Sequence, residues 1–240
     1  MRIIPKLEIK SGHLVKGRQL EGYRKLGDPI FFAKKYYKYG ADEICFVDVV
    51  ASMYDRKLIC DIVKEISKNI FVPFSVGGGI QNFEQVKEIF DSGADKIHIN
   101  SHLFTDLDFL KRFNDTYGAQ SISVEIQTKI YNDEYYCFFD RGRELSNIKL
   151  KDWIKKLKNY NFGEIIVTDI QKDGMYNGVN LNLINFVRDF FPNTNLVYSG
   201  GFNPQIDNIN LLRQKLNGLM ISNGLHSNFF LPEDFSERSR

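Results

Sequence analysis

The 240-residue chain is 43% hydrophobic and 26% charged, ordinary globular proportions that close one sizeable core and exclude intrinsic disorder. Its 32 Lys and Arg against 30 Asp and Glu leave a net charge of +2 with the signs interspersed, so neither nucleic acid nor a membrane surface is an expected partner. No apolar run approaches the ~20 residues that span a bilayer, and the start MRIIPKLEIK lacks the apolar stretch of a signal peptide, which points to the cytoplasm.

Short β-rich runs alternate with helical patterns along the whole chain, the signature of βα units around a parallel sheet. A strand at Ile3–Ile9 leads into a long glycine-punctuated loop from Lys10 to Asp28. Asp28-Pro29 then supplies a capping residue and a proline at the first helical position, opening a helix that stops at Gly40. Strand Glu43–Asp48, a helix near Asp55–Lys68, strand Phe71–Val76, helix Asn82–Ser92, strand Lys96–Asn100 and helix Leu107–Tyr117 follow. After strand Ser121–Gln127, the segment Ile130–Asp140 reads as a β-hairpin turning at Asn132-Asp133. Helix Leu150–Asn159, strand Glu164–Asp169, helix Asn182–Phe190, strand Asn195–Ser199, helix Pro204–Lys215 and strand Gly218–Ser222 complete the pattern, with an abbreviated eighth helix expected in the tail LPEDFSERSR. Eight strands with eight helices predict a (β/α)8 TIM barrel forming a single domain over residues 1–240, with a doubly wound open sheet as the alternative. Cys45, Cys60 and Cys137 lie far apart without Cys-x-x-Cys spacing, so they read as small buried apolar residues, and no metal or nucleotide cofactor is implied.

The second half of the chain repeats the first. SVGGGIQNFEQVKEIFDSGADKIHINS resembles VYSGGFNPQIDNINLLRQKLNGLMISN, and the spacing from Gly79 to Asn100 equals that from Gly201 to Ser222, 21 residues in each case. A fused pair of half-barrels, roughly 1–120 and 121–240, explains two equivalent halves where an open sheet does not. Glycine-rich turns at strand ends leave backbone N–H groups free for an anion. Gly78, Gly79, Asn100 and Ser101 form one such candidate site, and Gly174, Gly200, Gly201, Ser222 and Asn223 form the other. Placed on opposite sides of the barrel mouth, they suit a ligand with a phosphate at each end. Strand alternation further directs Lys6 with Glu8, Ser123 with Glu125 and Gln127, and Lys96 with His98 and Asn100 into the lumen.

The runs RIIPKLEIKSGHLVKG, GADEICFVDVVAS, PFSVGGGI, GADKIHINS, FGEIIVTDIQKDG and VYSGGF together resemble the cyclase subunit of imidazole glycerol phosphate synthase, from Arg2 to about His226. The resemblance implies a two-half (β/α)8 barrel that closes an imidazole ring on a bis-phosphorylated ribulosyl substrate. It also implies a heterodimer, with ammonia arriving through the barrel from a glutaminase docked on the bottom face. By the same resemblance, Arg2, Glu43, Lys96 and Glu164 form a charged ring gating ammonia entry, and Asp95 and Gln120 touch the glutaminase. Lys16 matches a mobile-loop lysine over the substrate, Asp173 an active-site loop aspartate, and Thr168 a strand-end threonine.

The two catalytic aspartates of that family correspond here to Glu8 and Gln127. Glu8 moves the carboxylate by one methylene, and Gln127 exchanges no proton at neutral pH, so one arm of an acid/base pair is missing. Lys6, His98 and Glu125 are unusual polar residues for a barrel interior. Their bland reading has Lys6 neutralising Glu8 or Glu125 and His98 as a hydrogen-bonded core residue; their sharper reading has Glu125 replacing the lost acid. Three functions remain. The first is a paralogue that takes ammonia from its own glutaminase to another acceptor, such as a third amidotransferase protein making amidino sugars of surface glycans. The second is a working histidine-pathway cyclase. The third is a phosphoribosyl isomerase-like enzyme, which has no need of the bottom gate.

Overall fold

The computed structural model describes residues 1–50 and 57–235. Its elements are β1 (Arg2–Lys10), β2 (His13–Arg18), β3 (Glu21–Gly27), α1 (Pro29–Lys38), β4 (Ile44–Asp48), α2 (Lys57–Ser67), β5 (Phe74–Gly77), α3 (Phe83–Asp91), β6 (Lys96–Ile99) and α4 (Phe109–Tyr117). They continue as β7 (Ile122–Tyr131), β8 (Glu134–Phe139), β9 (Glu144–Lys149), α5 (Leu150–Leu157), β10 (Glu164–Asp169), α6 (Leu181–Phe190), β11 (Asn195–Ser199), α7 (Ile209–Lys215), β12 (Gly218–Ile221) and α8 (Asn223–His226).

Strands β1, β4, β5, β6, β7, β10, β11 and β12 pair in parallel in that order, and β12 pairs back onto β1 through Arg2 and Gly218. The sheet is therefore closed, a (β/α)8 barrel, and the open-sheet alternative is excluded. Alternation along each strand builds two cores. Ile3, Leu7, Ile9, Phe46, Val124, Ile126, Leu196 and Tyr198 face outward and pack under the helices, whereas Ile4, Cys45, Val47, Ile166, Val197 and Met220 form a separate apolar cluster inside. No helix among the described residues is long and apolar enough to cross a membrane.

Several predicted boundaries shift for local reasons. Pro73, which has no N–H to give to a ladder, delays the third-unit strand to Phe74 and leaves Phe71 on the surface. The side chain of Asp106 accepts from the Phe109 amide, so α4 starts at Phe109 rather than Leu107. A turn in which Asp207 accepts from the Asn203 amide delays α7 until Asn208 caps it. The eighth helix is the short α8, directly after β12, and among the described residues the tail adds a 3-10 turn at Pro232–Asp234. The predicted start at Asp55 of the helix before Lys68 lies outside the described residues. Cys45 and Cys137 are buried as expected, but Cys60 is only partly so, because α2 turns that side toward its outer face.

The largest difference lies between Lys10 and Asp28, read as a loop. It is the antiparallel hairpin β2–β3, which continues directly from β1 with Glu8 opposite Val15. A matching hairpin, β8–β9, extends β7 through the Asn132-Asp133 turn, where both residues adopt the left-handed conformation. The two hairpins meet above the barrel mouth, where Leu20 packs with Phe138 and Ile170.

Candidate active site

At the strand starts, the Arg2 guanidinium bonds both Glu43 and Glu164, and Lys96 Nζ lies 2.8 Å from Glu43 and 3.7 Å from Glu164. Ser123 Oγ donates to Glu164 at 2.9 Å. The four predicted residues thus form one closed ring of alternating charge across the barrel floor. Burial pushes the Arg2 pKa down, but the two carboxylates outweigh it and raise the value. Asp95 and Gln120 are exposed beside this floor. Asp95 accepts from the Phe74 amide at 2.8 Å, and Gln120 sits on a 3-10 turn just before β7.

Above the ring the lumen carries the polar residues that strand alternation placed there. The His98 ring lies on Gly77, where an added Cβ would come within 2.0 Å of Nε2, and its Nδ1 is 3.9 Å from Cys45 Sγ. Burial lowers the His98 pKa to about 4, so the ring is neutral at pH 7. Lys6 approaches neither Glu8 nor Glu125 directly, contrary to the simplest expectation; its Nζ lies 3.5 Å from Ser199 Oγ and 3.9 Å from the Asp173 carboxylate. Thr168 Oγ1 donates to Glu125 Oε1 at 3.0 Å. Gly77→Ala is expected to cost about 1–3 kcal/mol by overpacking, read as a lower thermal midpoint with displaced His98 ring resonances; an unchanged midpoint and spectrum would contradict this packing.

At the mouth Glu8 is fully buried between two cations, with Lys16 Nζ at 2.7 Å and Arg141 Nη2 at 3.1 Å. Burial pushes its pKa up, but Lys16, Lys6 and Arg141 bring it down to about 2, so Glu8 is a fixed carboxylate. Lys16 also contacts Asp173 at 2.8 Å. It lies in strand β2 and is buried, which corrects its assignment to a mobile loop. Sequence reasoning missed two members of this cluster. Arg141, in the turn between β8 and β9, bonds the Tyr23 hydroxyl of β3 at 2.7 Å and stacks over its ring. No local signal marks them, because the segment that carries Tyr23 reads as a loop and the partners of Arg141 are distant in sequence.

The first glycine site opens into a cavity of about 620 Å³ that includes Gly78, Gly79, Asn100, Ser101, His98, Glu125, Gln127 and Arg141 in its walls. The second brings together Gly174, Gly200, Gly201, Ser222 and Asn223 around only about 20 Å³. The first glycine of each pair packs on the end of the strand before it. A Cβ on Gly78 would meet the Asp48 carbonyl at 2.1 Å, and one on Gly200 the Asp169 carbonyl at 2.8 Å, both with positive φ. Neither Asn100 nor Ser222 caps the short helical turn that follows it, so those turn N-termini keep backbone donors. Asn100 instead donates to Phe138 O, and Ser101 Oγ accepts from the Asp140 amide, which ties the first site to the β8–β9 hairpin.

A sequence model of the family described as histidine biosynthesis protein matches residues 2–230. The imidazole glycerol phosphate synthase subunit HisF of Petrotoga mobilis is 34% identical over 235 residues, covering 97% of this chain and 93% of that protein. The HisF subunits of Natranaerobius thermophilus and a Thermotoga species are 38% and 37% identical, each over 83% of this chain and 79% of the relative. The chain belongs to this histidine biosynthesis family and is HisF-like. Within the family frame, the barrel, the floor ring and the paired glycine turns occupy the positions that the motifs marked, while Arg141 and Tyr23 come from hairpin segments outside every motif quoted above.

Proposed function

We propose that this HisF-like chain is the barrel of a two-subunit glutamine-dependent synthase, with a glutaminase docked at Asp95 and Gln120 on the floor and ammonia entering through the ring of Arg2, Glu43, Lys96 and Glu164. Its acceptor is a molecule other than the histidine-pathway substrate, such as an amidino-sugar precursor carried by a third amidotransferase protein. The contrast between the two ends of the lumen carries this reading. The floor has a ring whose two cations and two carboxylates neutralise one another, whereas at the mouth Glu8 is locked as a carboxylate by Lys16 and Arg141 and Gln127 titrates nothing. Loss of a general acid or base typically forfeits about 100- to 10,000-fold in rate, whereas conduction needs only a passage and a docking face. The two glycine sites serve as anchors for the phosphate ends of the ligand, with Lys16, Thr168 and Asp173 around it. We also infer one domain of two fused half-barrels, an inference supported by the equivalent hairpins after β1 and β7.

Mixed with its cognate glutaminase, the chain is expected to stimulate glutamine hydrolysis while turning over the histidine-pathway substrate at least about 100-fold more slowly than an Asp-bearing cyclase. Absence of stimulation would remove the docking reading. One observation favours a second reading, an active cyclase: Glu125 places a carboxylate in the wall of the same cavity, beside Gln127. Robust growth without histidine of a strain whose own cyclase has been replaced by this chain would establish it.

A further inference from the structure

The cavity at the mouth is unevenly provided with partners. Lys16 is engaged by Glu8 and Asp173, Arg141 by Glu8 and Tyr23, and Lys6 by Ser199 and Asp173. Glu125 is more than nine-tenths buried, yet among the described residues it makes no ion pair within 4 Å; its hydrogen-bond neighbours are the Thr168 hydroxyl and the Gln127 amide. Burial pushes its pKa up, but His98, Lys6 and Arg141, acting from beyond contact distance, bring it below the ordinary value. Gln127 donates to Glu125 and leaves its own Oε1 buried with no hydrogen-bond partner, and Asn100 donates to Phe138 O and leaves Oδ1 in the same condition. Gln127 and Asn100 are 6% and 9% exposed, and both line the cavity with Glu125. Ile99 pairs with Val124, so the next inward positions on the two strands, Asn100 and Glu125, stand side by side, with Gln127 the next inward residue along β7.

Each orphaned buried acceptor is costly, and a buried carboxylate with no cation in contact leaves hydrogen-bonding capacity unused. Three acceptors grouped in one cavity wall share a remedy, a ligand that is both positively charged and rich in N–H donors. We propose that Glu125, Gln127 and Asn100 form a receptor site for a small N–H cation, either ammonium or the protonated amine or amidine end of a larger ligand. An alkali ion satisfies charge but donates nothing, and a quaternary ammonium has charge without donors, so hydrogen-bond geometry separates the ligand class. The site rests on the ammonia-delivery reading only for the choice between its two sources.

The test is a titration of the isolated full-length chain, in ammonium-free buffer at constant ionic strength, followed through the ring resonances of the neighbouring His98. The probes are ammonium, methylammonium and acetamidinium chlorides, with potassium and tetramethylammonium chlorides as controls. A saturable shift with the N–H cations, at least tenfold weaker with either control and at least tenfold weaker in Glu125→Gln, is the expected result. Gln127→Leu removes one orphan acceptor together with the amide donor to Glu125 and should weaken binding severalfold, which decides the matter if Glu125→Gln fails to fold. Tighter binding of ammonium than acetamidinium assigns nitrogen delivered through the lumen; the reverse assigns the end of a larger ligand. No saturable shift, equal response to tetramethylammonium, or undiminished binding in the folded variants would overturn the site. No glutaminase is present, so a failed titration leaves the docking reading standing, and failed glutaminase stimulation leaves the site standing.

Discussion

As pH falls from 6.5 to 4, the barrel is expected to lose stability, most steeply near pH 5, where unfolding takes up nearly two protons and the slope approaches about 2.7 kcal/mol per pH unit. Two histidines supply them. Burial, reinforced by the charges of Lys6 and Arg141, lowers the His98 pKa to about 4, and burial with the charge of Lys16 lowers that of His226 to about 3. The neutral form of His226 is the one its contacts use: Nδ1 accepts from the Tyr36 hydroxyl at 2.6 Å, and Nε2 donates to the Lys6 carbonyl at 3.2 Å. A second proton on that ring ends the acceptance from Tyr36 and forces the buried hydroxyl to turn its proton elsewhere. Both folded values lie below the ordinary 6.5, so the unfolded chain binds more protons throughout the interval. The stabilisation is therefore complete above pH 6.5 and lost as pH descends toward the folded values. Glu8 acts in the same direction but lower down, being charged in the fold to about pH 2 while its unfolded counterpart protonates near 4.5. Urea unfolding at half-unit steps from pH 4 to 7.5 measures the slope, and His98→Asn should roughly halve it. A flat profile between pH 4 and 6 would show that these rings are not held neutral inside.

The barrel was legible because its strands obey two simple rules. Fully buried strands read as apolar runs, and inward positions recur with period two, so Lys6, Glu8, His98, Glu125 and Gln127 were placed in the lumen from spacing alone. The floor ring was legible through the family motifs, and Arg2, Glu43, Lys96 and Glu164 do converge. What escaped detection depends on contacts distant in sequence. The segment HLVKGRQLEGYRKLG carries Gly17 and Gly22 and many charges, so it reads as loop, but continuation of the ladder from β1 and the contact of Leu20 with Phe138 and Ile170 make it a hairpin. Arg141 could not be assigned from a local pattern, since its partners Glu8 and Tyr23 are 133 and 118 residues away. The pairing of Lys6 with Asp173 rather than Glu8 follows from Lys16 and Arg141 already occupying Glu8.

Lys16→Met is expected to destabilise the fold by about 3–5 kcal/mol, lowering the thermal midpoint by roughly 10 °C for a chain of this size. Lys16 is the only residue that contacts both Glu8 and Asp173, at 2.7 and 2.8 Å, among the described ion pairs, and all three side chains are at least 95% buried. Methionine keeps the length and removes the charge, so the loss is electrostatic rather than a cavity. Arg141 remains on Glu8, but the nearest cation to Asp173 is then Lys6 at 3.9 Å, too distant to restore the lost hydrogen bonds. Neutralising the stranded acid tests this cause directly. Combining Lys16→Met with Asp173→Asn should recover more than half of the lost stability, whereas Asp173→Asn alone should destabilise the parent, a sign reversal that only a coupled pair produces. Additive effects of the two substitutions, or a single-variant cost under about 1 kcal/mol, would mean that the clamp is a solvated contact and that Glu8 is free to exchange protons at the mouth, which would return acid/base chemistry to this carboxylate.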